Sequence, residues 1–326
     1  MTSSRRAGAP RLIEWTGERC VPWAPDVQVV YEPLHRYMWA ATLVGDRRVL
    51  DLASGEGFGA ALLADSAQHV TGVDIDERTV QHSALNYGSD KIDFQVADAT
   101  DLSRFADGSF GAVVAFEMIE HVYEQERVLE EIARVLEPDG LLVISTPDRR
   151  AYSDTSWSHN PFHVRELDLD SFATLMGRTF GQVAIWGQRT ITGSVLAALN
   201  GADDTEPPAR TFFIERTGDT WRSAPAPSPL YLVAVASNVQ LPAVPSESTL
   251  ADCGLELQRS AQAASASAAN EQLAEAQGRL TRLQSELGER RRAEREATQR
   301  LADRELEVRF DHDRIAELTA RTEQDR

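Results

Sequence analysis

Cysteine, lysine and long apolar runs are scarce in this chain of 326 residues. Its two cysteines, Cys20 and Cys253, lie far apart in unlike contexts, which argues against a disulfide framework and fits a reducing cytosol. No apolar run reaches the roughly 18 residues that a membrane span needs. Arg5-Arg6 has no apolar stretch behind it, so a secretory or twin-arginine signal is not expected. Lys91 is the only lysine, a compositional bias and not a chemical signal. Basic charge is also short where a polyanion would require it. Residues 1–270 hold 21 Lys+Arg against 37 Asp+Glu, a net of −16, whereas residues 271–326 hold 12 Arg against 14 acids. A body this acidic repels polyphosphate at long range, so an extended nucleic-acid footprint is not expected, although a local basic pocket remains open.

What is present is a hydrophobic fraction of 42%, enough for one large domain and an appendage. Residues 1–12 are small and polar and read as a disordered leader. From Arg47 onward, buried-strand patterns (47–52, 69–74, 92–97, 110–116, 141–145) alternate with helical ones (60–64, 77–87, 125–136). That alternation predicts an α/β fold, a Rossmann-like, mostly parallel sheet covered on both faces. Weaker signals place a helix over 168–177 and two final strands at 181–186 and 230–236. The long interval 187–228 between those strands, with its Asn200-Gly201 and its proline-rich 224–229, reads as a lid or substrate wall. The domain is therefore expected over 13–238, with a linker at 239–254. Beyond it, Leu273, Leu280, Leu287, Leu301, Val308 and Ile315 recur at multiples of seven, broken by Arg290, Glu294, Arg304 and Asp311. Residues 255–326 read as a coiled coil joining a second copy or a partner helix, or as a single solvated helix.

Asp51-Leu52-Ala53-Ser54-Gly55-Glu56-Gly57-Phe58-Gly59 follows the first strand and opens a helix. Such glycines allow a tight turn and close approach of a ligand, and alone they would suit a nucleotide phosphate equally. Asp51 inside the strand end disfavours an anionic ligand and favours a cationic one. Asp74, ending the second strand, is placed to accept from two ribose hydroxyls, and Asp98, after the third, from an adenine amino group. This ordered series, from about Val49 to Ser145, resembles the class I S-adenosylmethionine-dependent methyltransferases. The resemblance implies a seven-stranded sheet with a reversed final strand, and S-adenosylmethionine as cofactor. It implies that Asp51 and Gly55 lie beside the methionine part, Asp74 at the ribose and Asp98 at the adenine, with Ala53, Gly57, Ile75, Ala99 and Phe116 as further cofactor-binding residues.

A second constellation follows. If Phe116-Glu117-Met118-Ile119-Glu120-His121 opens a helix, Glu117, Glu120 and His121 share one face at i, i+3 and i+4. His163, in Asn160-Pro161-Phe162-His163-Val164-Arg165-Glu166, offers a second imidazole, and His159 lies close enough in sequence to exchange roles with it. Two carboxylates and two imidazoles suit Mg2+ or Mn2+. A cation with open positions chelates two adjacent hydroxyls, stabilises the alkoxide and leaves in-line attack to proximity. One imidazole, His121 or His163, serves equally as a general base without metal. Glu117 to Val122 looks like a motif of two narrower groups, the ubiquinone-biosynthesis O-methyltransferases and the enzymes that methylate the 2′-hydroxyl at the 3′ end of small RNAs. In the RNA group the two glutamates, the histidine and a downstream histidine hold magnesium. The pattern Ser145-Thr146-Pro147-Asp148, then His163, Glu166 and Phe172, matches that group apart from Asp148, which implies Glu117, Glu120, His121 and His163 as ligands.

The acceptor expected is a sugar, nucleotide-linked or glycan-linked, since similar domains joined to coiled coils occur among bacterial surface-polysaccharide enzymes. An RNA 3′ end and a phenolic quinone precursor are the alternatives, and a cofactor-binding scaffold that does not turn over is a fourth. Trp15 to Arg19 and Tyr31 to Trp39 are rich in aromatics and carry two arginines. They suit stacking on a ring and gripping a phosphate, or a helix packed over the sheet edge.

Overall fold

Runs of Val, Leu, Ile and Ala four to seven residues long have no polar face to turn to water, so the strands they form must be covered on both sides. A computed structural model describes residues 21, 27–153, 160–194, 211–252 and scattered positions between 254 and 315. Helix α1 (Val27–Ala41) precedes β1 (Arg48–Leu52), α2 (Phe58–Leu63), β2 (His69–Asp74), α3 (Glu77–Tyr87), β3 (Ile92–Val96) and β4 (Phe110–Ala115). A 3-10 turn (Ile119–His121), α4 (Gln125–Val135), β5 (Leu136–Pro147), α5 (Arg149–Tyr152) and α6 (Leu169–Thr179) follow. The remaining strands are β6 (Gln182–Gln188), β7 (Ile214–Thr217), β8 (Thr220–Ser223) and β9 (Tyr231–Ser237). Seven strands form one sheet in the order β3-β2-β1-β4-β5-β9-β6, with β9 antiparallel to both neighbours, as the family resemblance implies. Strands β7 and β8 pair as an exposed hairpin inside the interval expected to be a lid.

The period-two alternation of the strands divides the core between the two faces. Leu50, Leu52, Val113, Ala115, Leu142 and Ile144 face α4 and α6, which bury Val128, Leu129, Ile132, Phe172 and Met176. Val49, Ala112, Val114, Leu141 and Val143 face α1 and α2, which bury Tyr37, Ala40, Ala60 and Leu63. Asp51 falls on the second face by the same alternation. Aspartate caps start the helices that frame the site: Asp76 accepts from Arg78 N at 3.1 Å and Asp168 from Ser171 N at 2.9 Å. All the loops that carry candidate residues leave the carboxyl ends of the parallel strands, where the order reverses between β1 and β4.

Chain contacts divide the molecule into residues 1–250 and 251–326. In the second unit the described positions between 277 and 315 are helical, and Leu280, Leu287, Leu301, Val308 and Ile315 are exposed. Among the described residues no helix is long and apolar enough to cross a membrane. The leader, Trp15 to Arg19, both cysteines, His159 and Asn200-Gly201 lie outside the described residues.

Candidate active site

The glycine loop is shaped by backbone conformations that side chains disfavour. Ala53, Gly55 and Gly57 have φ of 59°, 54° and 97°, and a Cβ on Gly57 would lie 2.8 Å from the Ser83 side chain. Gly55 N donates to Asp74 Oδ2 at 3.1 Å and Asp76 N to Asp74 Oδ1 at 3.0 Å, so Asp74 fixes the loop and keeps acceptor capacity on both oxygens. Ser83 Oγ donates to Gly55 O at 2.9 Å. Ile75, 71% exposed, stands beside Asp74 as an unburied apolar wall. Asp98 is exposed, with Thr100 N and Oγ1 donating to its Oδ1, and Ala99 follows it half-buried. Phe116 is buried against Tyr37, ring centroids 4.9 Å apart.

Asp51 is fully buried and accepts from the Tyr37 hydroxyl at 3.0 Å, while Oδ2 has no hydrogen-bond partner among the described residues. Burial pushes its carboxyl up to about 7; the Tyr37 hydrogen bond opposes this and the charge of Asp74 adds to it. An orphaned buried acceptor of this kind fits a cationic ligand group.

The second constellation assembles in a different way from the helical face expected. The stretch after β4 makes only the 3-10 turn Ile119–His121, and Glu117 lies ahead of it with φ 52°, so the i, i+3, i+4 face does not form. Glu120, His121 and His163 nevertheless converge, with ligand atoms all within 4.8 Å of one another. The main chain explains it: Glu120 O accepts from Val164 N at 2.9 Å and Arg165 N at 3.1 Å, pinning the distant segment to the turn. The rings of His121 and His163 meet edge to face at 5.0 Å. His121 Nδ1 lies 3.0 Å from Phe162 O, and His163 Nδ1 lies 2.6 Å from Glu166 Oε1. A carbonyl or carboxylate can only accept, so each Nδ1 is the donor and Nε2 is the nitrogen left to face a ligand.

Glu120 is fully buried, and neither oxygen has a hydrogen-bond partner among the described residues. Burial and then the charge of Glu117 push its carboxyl well above the ordinary range, further than its own backbone N–H, Arg36 and the Thr146 hydroxyl pull it back, and that hydroxyl lies near without completing a hydrogen bond. Glu117 is a neighbour of the cluster and not a member of it. Its Oε1 lies 3.3 Å from Arg36 Nη2 and accepts from Ser145 Oγ at 3.0 Å. Non-glycine backbone at positive φ is a strained conformation typical of functional turns, and here it turns Glu117 toward α1.

Three participants carry little sequence signal. Arg36 and Tyr37 belong to a helix whose pattern reads as packing, and only the fold brings them to Glu117 and Asp51. Gln125 donates to both Ile119 O and Arg165 O, at 2.8 and 2.7 Å, tying the turn to the His163 segment.

Residues 50–144 match the family described as "Methyltransferase domain". A "Probable S-adenosylmethionine-dependent methyltransferase" of Mycobacterium tuberculosis is 38% identical over 183 residues, 53% of this chain and 63% of the relative. A "Ubiquinone biosynthesis O-methyltransferase" of Thiobacillus denitrificans is 31% identical over 140 residues, 40% of this chain and 60% of the relative. The chain thus spans 60–63% of the length of these curated relatives. A solved S-adenosylmethionine-dependent methyltransferase of Archaeoglobus fulgidus is 17% identical with a TM-score of 0.46, covering 65% of this chain and 94% of that one. In strand order, glycine loop and family match, the α/β body of this chain is similar to the S-adenosylmethionine-dependent methyltransferases, the matched model spanning residues 50–144.

Proposed function

We propose that this chain transfers the methyl group of S-adenosylmethionine to a hydroxyl of a vicinal-diol acceptor, a sugar or glycan, at a site where Glu120, His121 and His163 hold Mg2+ or Mn2+. The observation that carries the reading is the Glu120 side chain, a wholly buried carboxyl group without a hydrogen-bond partner among the described residues, beside two imidazoles. An uncompensated buried carboxylate is costly, and a hard cation offsets that cost while accepting both nitrogens. The Nδ1 contacts of His121 and His163 are the outer-shell bonds that orient metal-binding imidazoles. Glu117 would complete a four-ligand set only by leaving Arg36 and Ser145.

The cation, when bound, favours ionisation of an acceptor hydroxyl and fixes its oxygen. The chain's own residues do the positioning. Asp51, Ala53, Gly55, Gly57, Asp74, Ile75, Asp98, Ala99 and Phe116 hold the cofactor, and the clamp from Glu120 O to 164–165 holds the two imidazoles in register.

The short His163–Glu166 contact favours a second reading, in which His163 Nε2 takes the hydroxyl proton as a general base and no metal is used. The relative named for ubiquinone biosynthesis favours a phenolic diol in place of a sugar. The −16 body argues against an RNA 3′ end.

An S-adenosylhomocysteine-release assay against sugar nucleotides, catechols and a short RNA, with and without EDTA, separates these readings. Turnover abolished by EDTA and restored by Mg2+ or Mn2+ is expected; indifference to chelator sinks the metal and leaves the general base. Residues 255–326 we assign to a coiled coil, because the described heptad positions Leu280, Leu287, Leu301, Val308 and Ile315 are exposed. Sedimentation of the full chain that shows only monomer at every concentration would remove that assignment.

A further inference from the structure

A cavity of about 280 Å³ lies between α1, the end of β6 and the segment 246–249, and of the residues placed in the candidate active site only Arg36 lines it. Arg36, Trp39, Trp186, Gln188, Arg189 and Glu247 contribute to its wall. Two of these carry a buried donor with no hydrogen-bond partner among the described residues: Arg36 Nε, on a side chain 3% exposed, and Trp39 Nε1. The other aromatic donor is satisfied, since Trp186 Nε1 donates to Pro245 O at 3.2 Å. The two indoles meet at 5.1 Å and 65°, giving the cavity an aromatic side. The Gln188 amide is fixed by its own bonds, Nε2 donating to Glu32 O at 2.9 Å and Oε1 accepting from Arg36 Nη1 at 2.8 Å. Arg189 is exposed at the wall and donates to Ser228 O at 2.8 Å.

Arg36 joins this cavity to the metal candidates. Its Nη2 pairs with Glu117, and its guanidinium lies 4.7 Å over the Tyr231 ring. Tyr231 packs against Tyr152 at 6.0 Å, and Tyr152 against His163 at 5.4 Å. A ligand that touches Arg36 in the cavity is therefore linked to His163 through Arg36, Tyr231 and Tyr152.

Unsatisfied donors beside an aromatic wall call for a ligand that brings acceptor oxygens and a ring face. We propose that the cavity anchors an oxyanion, a phosphate or a carboxylate, carried by the ring of the acceptor whose diol is methylated. This rests on the methyl-transfer reading for its purpose but not for its detection. Trp39 Nε1 and Arg36 Nε supply hydrogen bonds, Arg189 supplies charge, and the indoles flank the ring. Glu247 faces the same space and opposes the anion, so it limits affinity.

The test is calorimetric titration of the full chain, saturated with S-adenosylhomocysteine, with glucose 1-phosphate against glucose and with 3,4-dihydroxybenzoate against catechol. At least one oxyanion probe is expected to bind ten-fold or more tightly than its neutral counterpart, and the better one identifies phosphate or carboxylate as the source. Trp39→Phe and Arg189→Gln are expected to erase that preference, and Glu247→Gln to widen it about three-fold. S-adenosylhomocysteine affinity, measured separately, reports that each variant is folded. Equal affinity for charged and neutral probes, no binding of either oxyanion, or a preference untouched by both cavity substitutions overturns the proposal. Because the titration reads binding alone, loss of the oxyanion preference sinks the cavity assignment, whereas absence of methyl transfer in the separate S-adenosylhomocysteine-release assay sinks the methyl-transfer reading, and the two failures are distinguishable.

Discussion

His163 Nδ1 and Glu166 Oε1 lie 2.6 Å apart, and Ser153 Oγ donates to the same carboxylate oxygen at 2.7 Å. Glu166 thus fixes which nitrogen of His163 carries the proton and which way the ring faces. Under either the metal or the base reading its role is positioning. Glu166→Gln keeps the size and removes the charge. It is expected to lower turnover by about 10–100-fold, the usual cost of losing an outer-shell carboxylate, with the KM for S-adenosylmethionine unchanged. If the metal reading holds, the Mn2+ affinity falls by a similar factor; a fall in turnover without a change in Mn2+ affinity supports the base.

Asp51 gives a pH dependence with a defined sign. Its folded carboxyl titrates near 7, whereas an unfolded aspartate titrates near its ordinary 3.8. Between those values the folded state holds a proton that the unfolded state has lost. Stability therefore falls as pH rises from about 4 to about 7 and levels off above, by of order 2–4 kcal/mol for this group. Glu120, shifted in the same direction, adds to the slope. Urea denaturation of the ligand-free chain from pH 5 to 8 should show this fall, and Asp51→Asn should flatten part of it. Cofactor affinity should move oppositely, rising with pH toward about 7 as Asp51 becomes available to a cation. Asp51→Asn should bind S-adenosylhomocysteine about 10–100-fold more weakly at pH 8, the value of one charged hydrogen bond.

Arg36 and Glu117 form an ion pair in which the arginine is buried and the acid one-third exposed. Removing one partner leaves the other uncompensated. Arg36→Met is expected to cost about 3 kcal/mol, with Glu117→Gln less costly because Ser145 still donates to that side chain. The double variant should recover much of the loss, giving a coupling of about 1–3 kcal/mol in a double-mutant cycle. Additive losses would show that the pair is not energetically real.

Much of the sheet was legible because β1, β4 and β5 are continuous apolar runs between turn signals, and Asp51, Asp74 and the glycines mark the strand ends by residue type. The last strand was legible at 230–236 from its apolar run, whereas its reversed direction followed from the family resemblance. The turn at Glu117 was illegible, since helical spacing assumes αR backbone and that residue adopts φ 52°. His163 was found through its motif, whereas the bonds that deliver it, from Glu120 O to 164 and 165, are main-chain contacts with no side-chain signature. Arg36, Tyr37 and Trp39 share one helix pattern that reads equally well as packing. Their separate partners appear only when α1 crosses the sheet.

Gly59 tests how closely α1 must approach. A Cβ there would meet the Tyr37 ring at 2.1–2.4 Å, so the ring and not flexible chain would have to move. Tyr37 also donates to Asp51 and packs on Phe58 and Phe116, which leaves it no alternative position nearby. Gly59→Ala is therefore expected to destabilise the fold by roughly 1–3 kcal/mol through overpacking, despite the better helix propensity of alanine. It should also weaken cofactor binding by displacing the Tyr37 hydroxyl from Asp51. Adding Tyr37→Leu should relieve most of the strain without restoring cofactor affinity. A Gly59→Ala chain as stable as the parent by urea denaturation would show that α1 does not lie against the glycine loop in solution.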